Sequence, residues 1–108
     1  MSRGDLVSIA MQVDDGRPCP ALVIQSDRFS GAASVTVLLM TWTLLDAPLL
    51  RVTVEPSPVN GLRRPAQVMI DKPMTVGTDR IEVVSGRLDD ATMLRVNRSL
   101  ALFLGLAD

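Results

Sequence analysis

The sequence predicts a small, mainly β protein: a strongly bent antiparallel sheet or partly open barrel, capped by one C-terminal helix. Three observations carry this. Short β-branched runs separated by Gly, Pro, Asn and Asp fill roughly the first 85 positions. From Asp89 onward the apolar period becomes helical. With 108 residues, 47% apolar and 21% charged, the chain can fill one core but not two, so residues 1–108 are expected to form a single domain.

The elements follow in order. "DLVSIAMQV", from Asp5 to Val13, reads as a strand, and "DDGRP" after it as a loop rich in turn formers. "ALVIQS" opens with a continuous apolar run, the pattern of a central strand covered on both faces. "SVTVLLMT", from Ser34 to Thr41, is again β-branched. In "LLRVTVE", Leu50, Val52 and Val54 take one face while Arg51, Thr53 and Glu55 take the other. "EPSPVNGLRRP" is expected as a surface loop, because its prolines cannot donate to a ladder and Asn60-Gly61 is a turn dipeptide. "AQVMID" and "RIEVVS" complete about six short strands, with Asp71-Lys72-Pro73 expected as a strand exit.

In the C-terminal segment Met93, Val96, Leu100, Phe103 and Leu104 recur at helical spacing, with Arg95, Arg98 and Ser99 opposite. Asp89 is placed as N-cap, Asp90 complements the positive end of the helix, and Leu88 can staple onto Met93. Gly105 is the expected stop.

Composition removes whole classes of chemistry. With no His and one Cys, a Ser-His-Asp triad, a Cys-His pair and the usual zinc sites are excluded, and no metal or cofactor is expected. With no Tyr, one Trp and two Phe, an ordinary base-stacking platform is missing. A net charge of −1 without a basic run argues against tight electrostatic binding of duplex DNA. No run such as Val35 to Met40 is long enough for a membrane span, and the start of the chain lacks the pattern of a signal peptide. A lone thiol fits a cytoplasmic protein. Reactive groups must then come from Arg, Lys, Asp, Glu, Ser, Thr or Cys19.

Three polar places interrupt the apolar pattern: Asp14 to Pro20, which holds Arg17 and Cys19; Thr41-Trp42-Thr43 at a strand end; and Gln67, Asp71 and Lys72 in "QVMIDKP". Singly, each is explained by turn chemistry, β-propensity or solvation.

Their order along the chain is more informative. "RGDLV", then "RPCPALVIQSD", then a strand ending in Thr41, then "NGLRRPAQVMIDKPMTV", then "GRLDDATMLRVNRSLALFLGL" together resemble the MazF/PemK family of toxins from toxin–antitoxin pairs, over Arg3 to Ala107. The resemblance implies an SH3-like barrel with a C-terminal helix. It also implies a homodimer that cuts single-stranded RNA without a metal, and an antitoxin whose flexible acidic tail lies in the RNA groove. Such cleavage suits a chain without histidine. RNA brings its own nucleophile, the 2′-hydroxyl, and the protein supplies orientation, a base and stabilisation of charge on phosphate.

Carried over residue by residue, the resemblance puts Thr41 at the scissile phosphate and Asp71 at the acidic position that serves as base or reads RNA. Lys72 replaces a Gln, and Trp42 stands where Ser or Thr is common; Arg17, Trp42, Gln67 and Lys72 are the expected RNA contacts. The largest departure is Cys19. In the family's "R-P-A-L-V" an arginine stands at this position, and a neutral thiol lacks its charge and forked donors. Cys19 therefore reads as a missing arginine, whether as an inactivating change or with Arg17, Arg51, Arg63 or Lys72 in its place. Two alternatives remain at this stage: a gyrase poison of the same fold, and a non-catalytic module that grips an antitoxin peptide.

Overall fold

The computed structural model describes residues 1–10 and 19–107. Six strands are joined in one sheet: β1 (Asp5–Ile9), β2 (Cys19–Val23), β3 (Ser34–Thr41), β4 (Arg51–Val54), β5 (Ala66–Gly77) and β6 (Ile81–Arg87). Their spatial order is β4-β5-β3-β2-β1-β6, and every neighbouring pair is antiparallel. The helix α1 (Asp90–Phe103) follows. The expected bent antiparallel sheet with a terminal helix is thus present. β1 ends at Ile9, and residues 11–13 of the strand expected there lie outside the described residues.

The pleat sorts apolar side chains into two cores. Leu6, Leu22, Leu38, Val68 and Ile70 pack on one side with Met93 and Val96 of α1. Val7, Ile9, Ala21, Val23 and Val37 pack on the other. β2 lies between β1 and β3, and its Ala21, Leu22 and Val23 are all buried, as a central strand with a continuous apolar run requires.

Two expectations need correction, and a third gains detail. Asp71-Lys72-Pro73 is not a strand exit: β5 continues through it to Gly77. Between the pairs Leu38–Pro73 and Met40–Val68, the single residue Leu39 faces the four residues Met69 to Lys72. This wide bulge bends β5 and tolerates a proline, which has no N–H to donate.

The segment from Glu55 to Pro65 is the surface loop expected, and its one buried residue anchors it. Asn60 is only 4% exposed, and its Oδ1 accepts from the N–H groups of Ser57 and Leu62 while its Nδ2 donates to the Glu55 carbonyl. Gly61 adopts φ of 70°, and a Cβ there would collide with the Ser85 carbonyl oxygen. Both facts demand glycine.

Finally, the core takes in Met93 and Val96, with Leu100 at its margin, but Phe103 and Leu104 are 45% and 53% exposed. The apolar period continues past the part of the helix that this core covers. At the start of α1 Asp89 is the N-cap residue as expected, though its side chain makes no cap hydrogen bond to the helix backbone, and Leu88 is buried along with Met93. The Asp89 carboxylate accepts from the Thr92 hydroxyl, which holds it below its ordinary pKa. At the other end, Leu106 N–H donates to the Ala101 carbonyl and Gly105 N–H to that of Leu102, with Gly105 at φ 75°. This is the Schellman arrangement that the glycine predicted.

Candidate active site

Strand register brings part of the expected set onto one face. Ala21 pairs with Leu39 across β2 and β3, so Cys19 and Thr41, each two residues further along antiparallel strands, share one sheet face at the same end of that ladder. Thr41 pairs with Gln67 on β5, and Gln67 with Thr53 on β4. Arg51 sits opposite Met69, two residues from Thr53 and on its side of β4. Ile70 points into the helix-covered core, so Asp71 turns toward the same side as Met69 and Arg51. Cys19, Thr41, Gln67, Arg51 and Asp71 therefore occupy one face.

Their chemistry differs. The Thr41 hydroxyl accepts from the Thr43 N–H at 3.1 Å, which leaves its own O–H available to a phosphate oxygen. Cys19 is half-buried, and burial pushes its thiol above the ordinary value, so it is neutral near neutral pH. It is neither a cation nor a ready nucleophile.

The Asp71 carboxyl lies below its ordinary value of 3.8, chiefly through the hydrogen bond from Lys72, with Arg51 adding a smaller electrostatic pull. Its Oδ2 accepts from Lys72 Nζ at 3.1 Å, where the Lys72 side chain is 53% exposed and the Asp71 side chain 22%. Asp71 Oδ1 and Arg51 Nη1 are the two buried side-chain polar atoms without a protein hydrogen-bond partner among the described residues. An acceptor and a donor thus remain available on the face that carries Thr41.

Gln67 was expected at the RNA, but its amide is engaged within the protein. It is 5% exposed; its Oε1 accepts from Leu45 N–H, and its Nε2 donates to the Leu45 carbonyl and to Thr53 Oγ1. It holds the segment after Thr41 against the sheet. Arg17 lies outside the described residues.

Trp42 follows Thr41 just beyond the end of β3 and belongs to a different surface. It lines a cleft of about 440 Å³ with Pro20, Met40, Arg63 and Arg64, and the Arg64 guanidinium lies 4.8 Å from its ring centroid. Arg64 was not singled out from the sequence. The "RR" doublet was visible, but nothing in its spacing tied it to Trp42.

The chain and its fold have close counterparts. Residues 2–104 match the model of the family described as PemK-like, MazF-like toxin of type II toxin–antitoxin system. A probable endoribonuclease MazF of Mycolicibacterium smegmatis is 44% identical over 108 residues, covering 99% of each chain. A mycobacterial endoribonuclease solved in complex with its cognate antitoxin superposes with a TM-score of 0.79 at 27% identity, covering 100% of this chain and 98% of that one. A MazE–MazF structure from Deinococcus radiodurans shares the fold, with a TM-score of 0.78 at 19% identity over 99% and 97% of the two chains.

Proposed function

The chain belongs to the PemK-like, MazF-like toxins of type II toxin–antitoxin systems and is an endoribonuclease; from that premise we propose that it cuts single-stranded RNA through the face carrying Thr41 and Asp71. The Asp71 carboxylate takes the proton of a 2′-hydroxyl as that oxygen bonds to the adjacent phosphorus. The bond from phosphorus to the 5′-oxygen breaks, and the leaving oxygen takes a proton from solvent. The ends are a 2′,3′-cyclic phosphate and a 5′-hydroxyl. Thr41 donates its O–H to a phosphate oxygen, while Lys72 and Arg51 supply positive charge beside Asp71. Gln67 acts as a positioning residue, fixing the chain that leaves Thr41.

The observation that carries this reading is the gathering on one face of a free Thr hydroxyl, an ionised carboxylate with an unpartnered oxygen, and a guanidinium with an unpartnered nitrogen. Cys19 occupies the end of that face nearest Thr41, where an arginine would complete the charge. The thiol there attenuates the enzyme.

The natural partner is an antitoxin with a flexible acidic tail, drawn to the same cations. A homodimer is supported by Leu102, Phe103, Leu104 and Leu106 at the helix end and by Val83 and Val84 on the edge strand β6, all exposed. No helix among the described residues is long and apolar enough to cross a membrane, and the half-buried free thiol suits the cytoplasm.

The test is incubation of mixed-sequence single-stranded RNA with the protein in EDTA, followed by end analysis. Cyclic phosphate ends, absent when 2′-deoxynucleotides replace the cleaved positions, are the expected result. Intact RNA from both the protein and its Cys19→Arg variant would overturn the ribonuclease reading and bring gyrase inhibition and peptide binding forward.

A further inference from the structure

Thr41 closes β3 and Trp42 is the first residue beyond it; Trp42 lines a cleft with Leu6, Pro20 and Met40 that Thr41 does not line, so the two neighbours serve different surfaces. The proposed cleavage face lies on the Thr41 side. On the Trp42 side is the cleft of about 440 Å³, within the usual size of a small-molecule pocket.

Its lining is mixed in a telling way. Leu6, Pro20 and Met40 give an apolar floor, Ser8 adds a hydroxyl, and Arg63 and Arg64 stand at the side. Trp42 is the only tryptophan of the chain and is 38% exposed. Arg64 lies over its ring, and no carboxylate among the described residues forms a salt bridge with Arg63 or Arg64. The loop that carries both arginines is fixed by the three hydrogen bonds of the Asn60 side chain and by the left-handed turn at Gly61, so the cations are presented by an anchored segment.

From this we infer a nucleotide subsite: the cleft takes one unpaired base of the RNA strand, stacked on Trp42, with its phosphate held by Arg63 and Arg64. The inference rests on the ribonuclease reading and extends it to a second surface. A flat ring beside two cations over an apolar floor is complementary to a base attached to a phosphate. Arg64 already occupies the ring as a π partner. On binding, the base takes that place and the guanidinium moves to the phosphate, keeping its charge satisfied. Because Thr41 and Trp42 are adjacent, the strand must turn around the end of β3 with a base splayed out. A single strand can do this and a stacked duplex cannot.

Trp42 being the sole tryptophan, its emission reports on this cleft alone. The experiment titrates the protein with a short, fully 2′-O-methylated RNA oligonucleotide, which cannot be cut. Tryptophan emission and the anisotropy of a dye on the oligonucleotide are followed together. The expected result is a saturable quench that tracks the anisotropy, with affinity about tenfold weaker in Trp42→Leu and in Arg64→Ala. The salt dependence should flatten by roughly 0.7 in log–log slope for each arginine removed.

Oligonucleotide binding without any change in emission, or with undiminished affinity in both variants, overturns the subsite while leaving the ribonuclease reading standing. No binding by anisotropy overturns the subsite together with that reading. A quench produced by an acidic peptide but not by the oligonucleotide assigns the cleft to a protein partner and also overturns the inference.

Discussion

Two pairs of polar side chains have opposite habits. Asn60 and Gln67 are almost completely buried and spend their amides on neighbouring backbone: three hydrogen bonds for Asn60, and three for Gln67, one of them to the Thr53 hydroxyl. Arg51 and Asp71 are only partly buried, yet each keeps one buried polar atom without a partner among the described residues. A satisfied buried amide fixes chain geometry, whereas an unsatisfied charged atom is held at a cost and gains when a ligand reaches it. The first pair fixes chain beside two different surfaces, Gln67 the segment after Thr41 and Asn60 the loop that lines the Trp42 cleft. The second is the pair to which the proposed chemistry falls.

Substitutions can break this division in order of size. Asp71→Asn removes the proposed base and should lower the single-turnover cleavage rate by about 10²–10⁴-fold. It is best measured in a Cys19→Arg background, with the melting temperature almost unchanged. A melting point that falls along with the rate would move Asp71 into the structural pair.

The pH dependence carries the same logic. Because the Asp71 carboxyl lies below 3.8, it remains ionised through neutral and mildly acidic solution, so activity should hold across that range and fall only at stronger acid. The stabilising effect of its pairing with Lys72 is complete above the unfolded value and is lost as the pH drops through the lowered folded one.

Asn60→Ala should act on stability instead. Losing three side-chain bonds in a buried turn is expected to cost about 2–3 kcal/mol, seen as a shift of the urea midpoint with an unchanged slope. Gln67→Ala should cost less, about 1–2 kcal/mol, because the Leu45 backbone it serves can reach water. Hydrogen exchange at the Leu45 amide should quicken more than exchange in the β1–β2 ladder. Equal acceleration at both would deny Gln67 its local role.

Much of the fold was legible because it rests on local pattern. The β3 boundaries, Ser34 to Thr41, follow from a run of β-branched residues, and α1 from a clear period framed by Asp89 and Gly105. What escaped depends on partners distant in sequence. Asp71-Lys72-Pro73 looks like a strand exit because proline interrupts a ladder; only the facing strand, which offers Leu39 alone to four residues, shows that β5 bends and continues. Asn60 reads as a turn residue until its three hydrogen bonds bury it. Phe103 and Leu104 satisfy the helical period but lie beyond the core that Met93 and Val96 fill.

The site shows the same limit. Thr41, Asp71 and Cys19 could be named from order along the chain, but their sharing a face is a property of register. The meeting of Trp42 with Arg64 has no sequence signature, since it depends on how an anchored loop returns over the sheet.

The central claim is that this groove is a ribonuclease site with a thiol where a guanidinium belongs. The most direct measurement compares single-turnover cleavage of one RNA by the protein and by Cys19→Arg, in EDTA. Restoring one electrostatic donor to the developing phosphorane should accelerate cleavage by about 10²–10³-fold, with the same cyclic phosphate ends and the same cut positions. A Cys19→Arg variant that folds normally yet cuts no faster would contradict the account, because the groove would then owe nothing to charge at that position.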